Sequence, residues 1–160
     1  YSLNLNIGTI LSEDFLTYDQ SLPPRVRRQH IIEVSCFDLL ENAQNLPFLH
    51  WFLKNRGYRL CVDGVSPEQF MIMDWPALEV DMIKLRWTAS FADGNDAAFR
   101  QKVTEVAATA NQELVLCRCD DQTAVDWGAD AGISVFQGWY LDGLRKPKPD
   151  QPPARYRLRP

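Results

Sequence analysis

The chain has 160 residues, 46% hydrophobic and 24% charged, with a net charge of −4. That describes one globular domain able to bury a core, and it excludes a disordered or fibrous protein. No apolar run approaches the roughly 18 residues that cross a bilayer, no signal-peptide pattern opens the chain, and the acidic balance argues against general nucleic-acid binding.

The elements follow in chain order. Ser2-Leu3-Asn4-Leu5-Asn6 reads as a strand. A helix is expected from Thr9 to Gln20, closed by Ser21-Leu22-Pro23-Pro24. Ile31-Ile32-Glu33-Val34 is short and β-branched, as a buried strand should be. A helix from Asn45 to Arg56 pairs Phe48 with Phe52 and Leu49 with Leu53, and Gly57 is a natural stop. Leu60-Cys61-Val62 is the next strand. Ser66-Pro67-Glu68-Gln69 then carries a capping box with Pro at the first helical position. Strand Val80–Leu85, helix Asn95–Ala110, strand Glu113–Cys117, helix Asp121–Ala131 and strand Ser134–Gly138 complete the series. Residues 1–144 form the expected domain. Residues 145–160 are a proline-rich tail of charge +5, leaving about −9 on the rest when set against the net −4. The tail reads as an extended, solvated linker or as a docking peptide for an acidic partner.

Strands alternating with helices predict an α/β fold with a parallel sheet, of the TIM-barrel-like (β/α) type. Six strands fall short of the eight that close such a barrel, so the barrel is expected to be incomplete in this chain. Its open edges call for cover by missing residues, the tail or a partner chain, a homodimer being one arrangement.

In this architecture the C-terminal strand ends meet on one rim, where enzymes place their chemistry. Asn4, Glu33, Asp63, Lys84 and Gln137 end, or nearly end, five of the strands. Asn4 alone would be content bonding its own backbone. Glu33, in an apolar strand, must be paired or bound, either by Lys84 or Arg86 or by a metal. Asp63-Gly64 reads locally as a turn. Lys84 needs an acidic partner, which Glu33 or Asp63 can supply.

Cys36, Cys61, Cys117 and Cys119 show no CxxC spacing and read as small buried hydrophobes in a reducing, cytoplasmic setting. Cys117 and Cys119 would share a strand face, yet only His30 and His50 are present to complete a zinc site, which is therefore disfavoured. The histidines read as surface or partly buried. The five tryptophans read mostly as core or interface, with Trp139 a candidate to border a pocket.

From Leu3 to Leu141 the ordered motifs resemble the EAL domain, the phosphodiesterase module of cyclic di-GMP signalling. Ser2–Asn6 resembles its VNLS strand, and His30–Cys36 its LEITE strand. Leu53 through Gly57 to Asp63 is similar to its glycine-to-DD segment, Val80–Lys84 to its vDilK strand, and Gln137–Tyr140 to its QGyyf motif. The resemblance covers the C-terminal two thirds of such a domain. It implies two further strands before Tyr1, with the EAL tripeptide, one metal-binding carboxylate and a ligand-contacting arginine among them.

Residue by residue, the resemblance places Asn4, Glu33 and Asp63 at metal-ligand positions. It places Lys84 at the water- or phosphate-orienting lysine and Gln137 in the substrate pocket. The departures are Gly64 for the second aspartate of DD and Cys36 for the second glutamate of the ExTE strand. Arg86 stands for the aspartate after the lysine strand, Cys117 for the first glutamate of AEGVE, and Asp120 for its second. Two-metal hydrolysis needs carboxylates around both ions, and losing several ligands that act as a unit costs many orders of magnitude in rate.

The expectation is a degenerate, non-catalytic, bacterial regulatory domain with no cofactor or bound metal. It would bind cyclic di-GMP through Asn4, Glu33, Asp63, Lys84, Arg86 and Gln137 without cutting it. A protein-protein interaction module without nucleotide is the alternative, and a weak metal-dependent phosphodiesterase the third reading.

Overall fold

The structure, a computed structural model, describes residues 1–91 and 97–145. Its strands are β1 (Ser2–Asn4), β2 (Ile31–Ser35), β3 (Arg59–Val65), β4 (Met82–Arg86), β5 (Glu113–Cys117) and β6 (Val135–Gln137). They form one six-stranded sheet in chain order, and every neighbouring pair is parallel. The helices among the described residues are α1 (Ile7–Ile10), α2 (Glu13–Ser21), α3 (Pro24–Arg27), α4 (Cys36–Glu41), α5 (Leu46–Arg56), α6 (Pro67–Ile72), α7 (Trp75–Leu78), α8 (Ala97–Ala107), α9 (Gln122–Asp130) and α10 (Trp139–Arg145). The sheet curls into a half-barrel flanked by these helices, the incomplete TIM-barrel-like fold expected.

Period-two alternation sorts each strand between two environments. Ile32, Val34, Leu60, Val62, Ile83, Leu85, Leu114 and Leu116 join the main core with the helices. Cys61, Met82 and Val115 form a small separate cluster on the other face, backed by Ile31, Cys117 and Val135. Each fully buried large aliphatic or aromatic side chain contributes about 1.5–3 kcal/mol, so the sheet is held mainly from its helical side. The other face is left free for polar residues. Register aligns them: Asn4 lies opposite Glu33, Ser35 opposite Asp63, and Cys117 between Arg86 and Gln137.

Local signals in the sequence account for most boundaries. Gly57 ends α5 in the left-handed region (φ 87°), and the Ser66–Gln69 capping box is present in full. Asp121 caps α9 by accepting from the Ala124 N–H at 3.0 Å.

Several expectations are corrected. The single helix Thr9–Gln20 is two, because the Ser12 side chain accepts from the Phe15 N–H and starts a new helix with Glu13 and Asp14 in its first turn. Helix α4 is an addition to the expected elements; Ser35 caps it by accepting from the Asp38 N–H at 3.1 Å. Asp63-Gly64 is not a turn. Both residues lie inside β3, where Gly64 at φ 71° accompanies a register shift against β4. Cys117 and Cys119 do not share a face, since Arg118 between them has φ 61° and breaks the alternation. Cys119 therefore turns into the main core while Cys117 stays on the other face. His30 is buried, with Nδ1 2.7 Å from the Val26 carbonyl oxygen. The tail from residue 146 and the Asn95 start of the eighth helix lie outside the described residues.

Candidate functional site

A cleft of about 810 Å³ opens at the C-terminal strand ends, and Asn4, Glu33, Asp63, Lys84 and Gln137 all line it. Parallel pairing of strands in chain order brings these five residues, far apart in the chain, to one place. The sixth candidate, Arg86, lies elsewhere. It lines the neighbouring cleft and donates to the Gly64 carbonyl at 3.3 Å. Ser2, Cys117, Arg118, Asp120, Trp139 and Asp142 add to the first cleft.

At its floor Lys84 Nζ donates to Glu33 Oε2 at 2.6 Å, and the Ser2 hydroxyl donates to Glu33 Oε1. The side chains of Lys84 and Glu33 are 13% and 5% exposed, so this pair is largely withdrawn from water. Burial pulls the Lys84 ammonium pKa down, but the hydrogen bond and charge of Glu33, with Asp63 and Cys61 adding, outweigh it. The pKa is held above its ordinary value.

Cys117 stands beside this pair. Burial pushes its thiol up to about 12 against the lowering influence of Lys84, so it is protonated at neutral pH; it lies 3.7 Å from Gln137 Oε1, which accepts from it.

As these side chains stand, they do not gather the oxygen ligands that a pair of hard divalent ions requires. Both oxygens of Glu33 are engaged by Lys84 and Ser2, a cation occupies the centre of the floor, and Cys117 offers a neutral thiol. Among the described residues, no three His, Cys, Asp or Glu side chains come together as a metal-holding group. The arrangement can instead present ammonium and amide donors to an anion. Its charges are mixed: Glu33, Asp63, Asp120 and Asp142 line the cleft against Lys84 and Arg118.

The rim is partly aromatic. Trp139 is 79% exposed, and its backbone N–H donates to Asp120 Oδ1 at 3.4 Å. Gly138 is needed where it is, because a Cβ there would fall on the Cys119 backbone.

Sequence reasoning missed Ser2, Arg118 and Asp142. Ser2 had a signal, since it stands two residues before Asn4 and so on the same strand face. Arg118 had none, because its placement depends on a left-handed backbone that only the fold reveals. The opposite rim has a smaller hollow of about 380 Å³ around Arg59, Asp81, Gln112 and Glu113. There the Arg59–Glu113 pair at 3.1 Å is exposed, and residues at that end of a (β/α) fold serve stability.

No family model matches the chain, and no curated protein matches it. Solved structures do. The chain is 21% identical to the S helix, GGDEF and EAL portion of Vibrio cholerae LapD bound to cyclic di-GMP, with a TM-score of 0.67 over 88% of this chain and 36% of that one. It is 13% identical to Bacillus subtilis YkuI, a protein with an EAL domain in complex with its substrate cyclic di-GMP and calcium, with a TM-score of 0.67 over the same shares. It is 18% identical to Klebsiella pneumoniae BlrP1 in a manganese and cyclic di-GMP complex, with a TM-score of 0.65 over 86% of this chain and 37% of that one. The chain thus spans little over a third of these proteins. What it shares with them is the fold: it is a partial EAL-like fold.

Proposed function

We propose that this EAL-like chain serves cyclic di-GMP signalling as a regulatory domain that binds the dinucleotide without hydrolysing it. Two relatives in fold hold cyclic di-GMP beside a metal ion, and a third is described with the dinucleotide alone. The observation that carries the non-catalytic reading is Cys117, a thiol that burial keeps protonated where the resemblance expects a carboxylate. It adds no ligand for a hard cation, and Gly64, at the second aspartate position, adds none either. The dinucleotide carries two phosphodiester charges. Lys84 and Arg118 are the cations placed to meet them, and Trp139 offers a face on which a guanine can stack.

Calorimetry of the full protein with cyclic di-GMP tests this, run with and without EDTA and followed by chromatography of the nucleotide. Binding that EDTA leaves unchanged, with no linear dinucleotide formed, is the expected result. Lys84→Ala should weaken binding by roughly tenfold, the equivalent of one charge-assisted hydrogen bond. Metal-dependent turnover overturns the non-catalytic reading.

A protein-interaction module is the second reading, favoured by the outer face of α5. Phe48 and Trp51 are 52% and 60% exposed there, and their ring centroids lie 5.9 Å apart. Exposed aromatic clusters of this kind mark interaction sites. Absence of binding at high micromolar dinucleotide, with association lost in a Phe48→Ser/Trp51→Ser variant by sedimentation, selects this reading.

A further inference from the structure

Beside the first cleft lies a second, of about 980 Å³, between the end of β4 and helices α6, α8 and α9. The two differ in charge. Among the described residues, the second carries Arg86, Arg100 and Arg118 against Glu68, whereas acids outnumber bases in the first. On a protein with a net charge of −4, this local excess of guanidinium groups attracts anions.

The arginines differ in how far they are committed. Arg100 covers Trp127, its guanidinium carbon 5.7 Å from the ring centroid, and stands 3.9 Å from Asp130. Among the described residues Arg86 makes one long hydrogen bond, to the Gly64 carbonyl at 3.3 Å, and its charge also acts on the exposed Glu68. Arg118 has no side-chain hydrogen bond or ion pair among the described residues, and it lines both clefts. It also sits at φ 61°, a conformation that is strained for a side chain of this size and that recurs at ligand sites. That backbone sets an uncommitted guanidinium on the ridge between the clefts.

The floor beneath is aromatic. Trp87, Phe91 and Trp127 pack with centroids 5.0–5.6 Å apart. Phe91 and Trp127 are buried, but Trp87 is only partly covered and presents ring surface to the cleft. Guanidinium groups above an aromatic face match a ligand that joins a phosphate to a planar ring. A cleft of this size suits a small molecule.

We propose that the second cleft binds a phosphorylated nucleoside of mononucleotide size, with Arg86 and Arg118 meeting the phosphate and Trp87 stacking on the base. This site shares Arg118 with the proposed dinucleotide cleft, whereas Arg86 and Trp87 line the second cleft and not the first, so Arg86→Gln and Gln137→Ala tell the two apart.

The test titrates the full protein with guanosine 5′-monophosphate, guanosine and inorganic phosphate by calorimetry. The nucleotide should bind more tightly than either fragment. Arg118→Gly should weaken it by roughly tenfold or more with thermal stability unchanged or raised, since glycine adopts a positive φ without strain. Arg86→Gln, which touches only the second cleft, should weaken it likewise, while Gln137→Ala on the first cleft should leave it in place. Nucleotide binding no tighter than phosphate, or indifferent to Arg86→Gln, overturns the inference. So does loss on Gln137→Ala, which would put the nucleotide in the first cleft.

Discussion

A carboxylate that is 5% exposed needs a cation or donors on both oxygens, and Glu33 has both in Lys84 and Ser2. Removing one partner of such a pair leaves the other charge uncompensated, which costs about 3–5 kcal/mol. Glu33→Ala should therefore lower stability in urea unfolding by about 3 kcal/mol, and Glu33→Leu with Lys84→Met should recover most of it. A neutral Glu33→Ala would show that water already screens the pair. The same region sets an alkaline limit. Burial pushes the Cys61 thiol up to about 12 from its ordinary 9.0, and Cys117 shifts alike; Lys84 is also raised. In the unfolded chain these protons leave first, so the stabilisation is whole below the unfolded values and drains away as pH rises through the folded ones. Stability should fall between pH 9 and 12, more shallowly in Cys61→Ala, as read from urea midpoints across that window.

Helix ends and strand ends are where single atoms hold whole elements. Ser66 satisfies the first turn of α6, and Gln69 returns the bond to the Ser66 N–H at 2.8 Å. Ser66→Ala should cost about 1 kcal/mol, read as a lower thermal midpoint. Gly64 and Gly138 separate two kinds of glycine requirement. A Cβ at Gly64 would meet nothing within 4 Å, so Gly64→Ala costs only the strain of φ 71°, on the order of 1 kcal/mol. A Cβ at Gly138 would fall on the Cys119 backbone, which cannot yield without moving the end of β5 away from β6. Gly138→Ala should be the more damaging and should also distort the first cleft. Equal melting temperatures for the two variants would refute that ordering.

At the level of the whole half-barrel, stability is unevenly spread. Among the described residues β2 to β5 each pair on both sides, whereas β1 and β6 pair on one side and are three residues long. Short edge strands limit unwanted pairing but open easily. Hydrogen exchange of the full protein should show slow amides in β2 through β5 and faster exchange in β1 and β6. Uniform protection would mean that something covers both edges, a partner or further chain. The consequence for the site is direct, because Asn4 and Gln137 stand on the edge strands while Glu33 and Lys84 stand on inner ones. A ligand bridging them would tie the edges to the centre, and its binding should slow exchange in β1 and β6 first.

The order of strands and helices, the stop at Gly57, the Ser66 cap and the polar strand ends were legible in the sequence. Each is a local rule of period, φ preference or capping that acts within a few residues. Glu33 could be read as requiring a partner because a carboxylate in an apolar strand has a fixed chemical need. Which partner it takes was not legible: Lys84 and Arg86 lie two residues apart on the same strand face, and the bulge at Gly64 gives Arg86 a backbone carbonyl while Lys84 is left facing Glu33. Arg118 was equally hidden, because a left-handed residue between Cys117 and Cys119 arises only when β5 ends where Cys119 must turn into the core. Periodicity fixes which face a residue points to, but the distance between side chains on different strands depends on register, bulges and curl, and those come from the packing of the assembled sheet.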